Sequence, residues 1–264
     1  MASCSARCML YEKYYKTEHI LVTYFHKDCD FLEDSQRQIL TQLFRFFSSG
    51  EVKGDTLIHY GGCHILSFLF PACGFFKEII LAEFLETRLQ AARTWINREA
   101  GAFDWSPAAK YVCELEGNRE MWIEKEENLR RKIVKLIKCK ANEDHPVAPK
   151  LPTQVDCLLS TMLLELVCTD VDGFRKAVKD MSSLVKIDGH FVLQVVLGCT
   201  YMMSGTFKLP FLCLDKECVI AAVTDAGCVI KESQINERVN QTKYSVMDYS
   251  GVFCLLACKE KNVH

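Results

Sequence analysis

The sequence predicts an α/β protein: a mostly parallel sheet with helices on both faces. Three observations lead there. Short apolar runs at Asp55–Tyr60, Lys77–Glu83, Val155–Thr161 and Gly189–Leu197 alternate with segments of helical spacing, the pattern of strand–helix–strand units. The chain has 264 residues, the size of one α/β domain, and its 6 Pro and 13 Gly leave little room for a linker. Hydrophobic residues make up 49% and charged residues 25%, an ordinary globular balance that excludes a disordered or fibrous chain.

The first 50 residues read as helical. Tyr11-Glu12-Lys13-Tyr14-Tyr15 opens them, and Glu33 to Phe47 sets Ile39, Leu40, Leu43, Phe46 and Phe47 on one face before Ser48-Ser49-Gly50 ends the run. Asp55 to Tyr60 is a strand that runs into a tight turn at Gly61-Gly62, and a helix begins over Ile65 to Phe70. Lys77 to Glu83 is a second strand with an acidic end, followed by a helix over Glu86 to Asn97. Residues 119 to 138 are highly charged, with Leu129, Ile133, Leu136 and Ile137 at helical spacing, which predicts an amphipathic surface helix. Then come a strand at Val155 to Thr161, a helix at Phe174 to Leu184, a strand at Gly189 to Leu197, and a helix at Leu214 to Ala226 closed by Gly227. Gly227 to Lys231 and Val252 to Cys258 make a terminal strand pair.

Thirty-two Lys+Arg against 34 Asp+Glu give a net charge of −2. That balance argues against nucleic-acid or anionic-membrane binding, which needs a concentrated positive field. The start has no apolar core of signal-peptide length and no run reaches a membrane span, so the expected location is cytoplasmic; the expected state is a monomer. There the 15 cysteines are reduced thiols, and those in apolar stretches, such as Cys157, Cys168, Cys199 and Cys254, are small core residues. No C-x-x-C spacing supports a metal site.

In a sheet of this kind ligands bind beyond the C-terminal ends of the strands. The first strand ends at Gly61-Gly62, where glycine lets backbone approach a ligand, and the second ends at Glu83, whose carboxylate suits the two hydroxyls of a ribose. On residues alone two readings stand side by side: a nucleoside site, or a packing turn beside a solvated acid. The sequence carries no Ser-His-Asp pattern, no metal-ligand spacing and no phosphate-binding loop.

Further segments carry a resemblance. Val52-Lys53-Gly54-Asp55-Thr56-Leu57-Ile58, Ala82-Glu83-Phe84, Phe103-Asp104-Trp105-Ser106-Pro107, Cys113-Glu114-Leu115-Glu116-Gly117-Asn118, Lys138-Cys139, Asp156-Cys157-Leu158-Leu159-Ser160-Thr161 and Tyr201-Met202 resemble the nicotinamide/indolethylamine/phenylethanolamine N-methyltransferase family, with the indolethylamine branch nearest. The likeness runs from Tyr11 to Val246. It implies a Rossmann-like class I methyltransferase with a seven-stranded sheet, an N-terminal helical cap over residues 1–50 and a single compact methyltransferase domain over 51–264. It also implies S-adenosylmethionine as methyl donor and a small amine, or a thioether, as acceptor. Methyl transfer from a sulfonium needs in-line positioning and exclusion of water more than acid–base groups, which suits a sequence without a catalytic triad. The resemblance places Tyr15 at the donor's amino-acid end, Gly61 and Gly62 at the cofactor turn, Glu83 on the ribose, Phe84, Lys140 and Ala141 around the adenine, and Thr161 near the methionine moiety. Tyr201, Met202 and Tyr244 are the expected acceptor pocket.

The departures from the family pattern fall in the site itself. Its acidic-x-G-x-G-P motif reads His59-Tyr60-Gly61-Gly62-Cys63-His64 here. A histidine cannot accept as a carboxylate does, and Cys63 adds a Cβ where backbone approaches the ligand. Ser67 replaces a tyrosine, Arg88 an asparagine and Lys140 an aspartate, and a K-P-G-G turn has become Lys186-Ile187-Asp188-Gly189. At roughly 1–3 kcal/mol for each lost hydrogen bond, three such losses weaken donor binding by about two orders of magnitude. The alternative function is therefore a catalytically impaired member that keeps the fold as a binding or interaction protein. His59, Cys63 and His64 do not make a metal cluster, since no further ligand is placed.

Overall fold

A computed structural model describes residues 4–25, 36–139, 154–238 and 246–262. Helices α1 (Cys4–Tyr14), α2 (Thr17–Phe25) and α3 (Arg37–Ser48) precede strand β1 (Gly54–Tyr60). There follow β2 (Phe76–Glu83), α4 (Glu86–Ile96), α5 (Ser106–Leu115), α6 (Trp122–Lys132), β3 (Ile133–Lys138), β4 (Val155–Thr161), α7 (Leu164–Val167), α8 (Val171–Leu184) and β5 (Val185–Leu197). A small hairpin, β6 (Tyr201–Ser204) with β7 (Phe207–Pro210), leads to α9 (Lys216–Asp225), β8 (Cys228–Glu237) and β9 (Gly251–Lys259).

The main sheet has seven strands in the order β3-β2-β1-β4-β5-β9-β8. β1 pairs in parallel with β2 on one side and β4 on the other, β2 with β3 and β4 with β5 likewise, while β9 is antiparallel to both β5 and β8. Strand order therefore reverses at β1, and right-handed crossovers on either side of that reversal put helices on opposite faces. This is the fold class predicted. The central strands are buried along their upper halves, as parallel strands covered on both faces must be. Helix α3 turns Ile39, Leu40, Leu43, Phe46 and Phe47 inward, the face its spacing predicts. Asp170 and Asp215 cap α8 and α9 by accepting from the Gly173 and Cys218 N–H groups at 2.8 and 2.7 Å.

Several elements differ from the sequence reading: β8 runs on to Glu237 rather than ending at Lys231, α5 and the β6–β7 hairpin were not expected, and three further differences have a physical reason. The helix expected from Ile65 is a 3₁₀ segment of four residues, Leu66–Leu69; Pro71 follows, and a residue without an N–H cannot carry a helical ladder onward. Residues 119–138 are not one helix: α6 ends at Lys132 and Ile133–Lys138 is the edge strand β3. Ile133 and Ile137, spaced for a helix, serve equally as the inward positions of a strand. The fifth strand begins at Val185, not Gly189, with a register irregularity between Val155 and Cys157 of its partner that absorbs the left-handed Asp188 (φ 62°).

The first two helices lie over the rim of the sheet and are tied down by their polar atoms. The Tyr11 hydroxyl donates to the Pro210 carbonyl at 2.8 Å, the Tyr24 hydroxyl reaches the Met203 and Val246 carbonyls at 3.1 and 2.9 Å, and Thr17 donates to Thr87 on α4 at 3.0 Å. Among the described residues no helix is long and apolar enough to cross a membrane.

Candidate functional site

The strand-order reversal makes the rim above β1, β2 and β4 the place where a crevice forms. Its floor is the turn after β1. Gly61 and Gly62 both hold left-handed backbone, φ 79° and 61°, a conformation that costs a residue with a Cβ. A Cβ on Gly61 would lie 2.4 Å from the Leu163 side chain, and one on Gly62 would lie 2.5 Å from Thr161 Oγ1. Glycine is thus required here by the neighbours on β4 and the turn beyond it. The Gly61 N–H donates to the Ala82 carbonyl at 2.8 Å and joins the turn to β2.

His59 stands one turn of the pleat below, fully buried. Its Nε2 meets Thr161 Oγ1 at 2.9 Å, and Thr161 Oγ1 donates to the Gly61 carbonyl at 3.4 Å. A hydroxyl has one proton to give, so His59 Nε2–H is the donor to Thr161. Its Nδ1 has no partner, and burial pushes its pKa down to about 3, which keeps the ring neutral. The ring orders the turn through Thr161, by a neutral route. Cys63, on the far side of the turn, is fully buried, and burial raises its thiol well above the usual range; it is a packing group without thiolate character.

The second half of the crevice is built around Glu83 at the end of β2, which is fully buried. Glu83 Oε1 accepts the Phe84 and Leu85 N–H groups at 2.8 and 3.1 Å, and Oε2 receives Arg88 Nη1 at 3.3 Å. Arg88 sits in the first turn of α4, so its side chain reaches the strand end by folding back over its own backbone. The guanidinium is also buried, with its carbon 4.2 Å from the Tyr15 ring centroid and 6.0 Å from that of Phe84. A planar cation over an aromatic face gains cation–π attraction on top of the ion pair. The Tyr15 hydroxyl closes the chain of contacts at 3.0 Å from His64 Nε2. Burial, with the Arg88 charge second, holds His64 well below the usual histidine range, and burial pushes Tyr15 up to about 12, so both are neutral partners of one buried cation.

These contacts leave little space. The void bordered by Tyr15, Gly62, His64, Arg88, Met202 and Met247 holds about 40 Å³, whereas ligand pockets run to roughly 300–1,000 Å³. A groove of about 1020 Å³ lies next to it, bordered by Lys16, Thr87, Phe103 and Trp105, with Tyr15, Phe25 and His64 as the shared wall. S-adenosylmethionine, which the sequence resemblance implies, does not fit the crevice as it is arranged: both oxygens of Glu83 are engaged, and the guanidinium of Arg88 stands between that acid and Tyr15.

The structure brings Tyr15, Gly61, Gly62, Glu83 and Thr161 to one rim. Phe84 is buried beside Arg88. Of the expected acceptor residues, Met202 borders the small void, while Tyr201 packs under Lys208, whose Nζ is 3.8 Å from its ring centroid, and does not border it. Lys140, Ala141 and Tyr244 lie outside the described residues. Two buried polar groups were not found by sequence reasoning. Glu165 in α7 accepts the Val196 N–H at 2.6 Å through Oε1 while Oε2 has no partner, and burial raises its carboxyl to about 7. Gln194 on β5 leaves both amide atoms unpartnered. The one local signal for each is a polar residue inside an apolar run, which in the sequence reads as a break in the pattern.

The NNMT/PNMT/TEMT family model matches residues 4–260. The chain is similar to nicotinamide N-methyltransferase of Sus scrofa, 40% identical over 224 residues that cover 84% of each chain. It is also similar to indolethylamine N-methyltransferase of Mus musculus, 35% identical over 222 residues covering 83% of this chain and 84% of that one. Among solved structures it is similar in fold to magnesium protoporphyrin IX methyltransferase from Synechocystis with bound S-adenosylhomocysteine, with a TM-score of 0.60, 10% identity and coverage of 96% of this chain and 100% of that one. The N-methyltransferase NodS from Bradyrhizobium japonicum, also with S-adenosylhomocysteine, gives a TM-score of 0.55 at 12% identity, covering 93% and 98%.

Proposed function

We propose that this chain, which belongs to the NNMT/PNMT/TEMT family, is an S-adenosylmethionine-dependent N-methyltransferase of small amines. The observation that carries this reading is the convergence of Glu83, the Gly61–Gly62 turn, Thr161 and Tyr15 on one rim, at the reversal of strand order in a sheet whose relatives are N-methyltransferases. The acid ends β2 where a ribose would lie, and the paired glycines let the turn pack against Leu163 and Thr161 beside it. Met202 and Met247 offer an apolar wall to an aromatic or aliphatic amine. The 40% and 35% identities to a nicotinamide and an indolethylamine enzyme support the amine class and leave the branch to experiment.

The test is transfer of a tritiated methyl group from S-adenosylmethionine to nicotinamide, tryptamine, phenylethanolamine and a dialkyl sulfide in turn. Label in one of these products above the acceptor-free control is expected. No label with any acceptor at millimolar donor contradicts the reading.

One observation favours the second reading, a catalytically impaired member kept as a binding or interaction protein: Arg88, paired with Glu83 and stacked on Tyr15, in the donor's place. A folded protein that takes up no donor under any condition, with Arg88 present or replaced, is what that reading expects.

A further inference from the structure

We infer that Arg88 is an internal ligand of the donor crevice: its guanidinium occupies the space between Glu83 and Tyr15 and decides whether a nucleoside enters. The inference rests on the proposed donor site and adds the residue that controls it.

Each contact of Arg88 uses a group that a bound nucleoside sulfonium would need. The guanidinium takes Glu83 Oε2 at 3.3 Å, the oxygen left after the Phe84 and Leu85 N–H groups have claimed Oε1. It covers the Tyr15 ring at 4.2 Å, a face that would otherwise meet the donor. The neighbouring groups add no competing charge: His64, on the Tyr15 hydroxyl, is neutral by burial, and His59 is held away on Thr161. The side chain arrives from the first turn of α4, five residues from its partner, and so competes as an intramolecular group whose approach costs no translational freedom. Arg88 Nε finds no partner, so the guanidinium sits here on the Glu83 contact and the Tyr15 ring without its full set of hydrogen bonds.

A ligand that binds only the open form shows an apparent affinity reduced by the fraction of molecules open. A closed-to-open ratio of about 100 would weaken donor binding about 100-fold. The variant Arg88→Asn shortens the side chain, removes the cation and releases Glu83 Oε2, while Oε1 keeps the Phe84 and Leu85 N–H groups.

The test is calorimetric titration of S-adenosylhomocysteine into the full chain and into Arg88→Asn, with a thermal melt confirming that each is folded. Binding by the variant at least tenfold tighter than by the wild type is expected. Equal measurable affinity overturns the inference and leaves the donor site standing. No binding by either folded protein up to millimolar ligand overturns both. Where Arg88→Asn fails to fold, Arg88→Lys keeps the charge opposite Glu83 but loses the planar stack on Tyr15. A severalfold gain in affinity is then expected, and an affinity equal to wild type overturns the inference.

Discussion

Replacing Glu83 with glutamine removes the charge facing Arg88 and turns the acceptor there into an amide donor. The Gln amide oxygen still accepts the Phe84 and Leu85 N–H groups that Glu83 Oε1 accepts at 2.8 and 3.1 Å. What is lost is the carboxylate opposite a buried guanidinium, with 3% and 0% of the two side chains exposed. Breaking a buried pair by removing one partner costs about 3–5 kcal/mol, because an uncompensated charge stays behind. The single contact at 3.3 Å, without bidentate geometry, and the Tyr15 stack that survives the substitution both favour the lower end, about 3 kcal/mol. For a chain of this size that is a fall in Tm of about 6–12 °C. The assay is urea and thermal unfolding of wild type, Glu83→Gln, Arg88→Met and the double variant. Replacing both partners removes the stranded charge, so the double variant is expected within about 1 kcal/mol of wild type, with a coupling energy of at least about 2 kcal/mol. A Glu83→Gln protein within about 0.5 kcal/mol of wild type, with additive single effects, would refute the buried pair and everything built on it.

Acidification from pH 7 to 5 sets two kinds of group against each other. His59, held at about 3, and His64, held low, stay neutral in the folded chain. In the unfolded chain both take up protons below about 6.5, so each lowers stability as pH falls, by about 1.4 kcal/mol per pH unit. Glu165, raised to about 7, keeps a proton when folded that the unfolded chain releases, so it adds stability over the same interval and offsets one histidine. Urea unfolding at pH 5, 6 and 7 should therefore show Glu165→Gln losing stability more steeply on acidification than wild type, and His59→Gln less steeply; unchanged slopes would contradict the burial of these groups. Gly61→Ala combines left-handed backbone at φ 79° with a Cβ placed 2.4 Å from Leu163. It is expected to cost about 2–4 kcal/mol in the same assay, and a loss under about 1 kcal/mol would show that the turn is built differently.

The sheet was legible because the apolar runs of β1, β2, β4 and β5 alternate with segments of helical spacing. Glu83 and the paired glycines were legible because a strand end and a turn are local features. What the sequence hid is tertiary. Ile133 and Ile137 satisfy a helical and an extended period equally, and only pairing with β2 decides for the strand. Pro71 cuts short the helix expected from Ile65, a boundary that the apolar run masks. The exchange of an acid for His59 looked like a lost contact, yet the ring still reaches Thr161, as a neutral donor. Arg88 was visible as an unusual residue at its position, but its fold back onto Glu83 and under Tyr15 depends on the α1–α2 junction far earlier in the chain. Burial of a cation there follows from three separate elements meeting, which no local pattern encodes.

The most direct measurement is a crystal structure of the wild-type chain grown with saturating S-adenosylhomocysteine. The account predicts the ribose hydroxyls on Glu83 and the Arg88 side chain swung out of the space beside Tyr15. A nucleoside bound elsewhere, with Arg88 still seated between Glu83 and Tyr15, would contradict it.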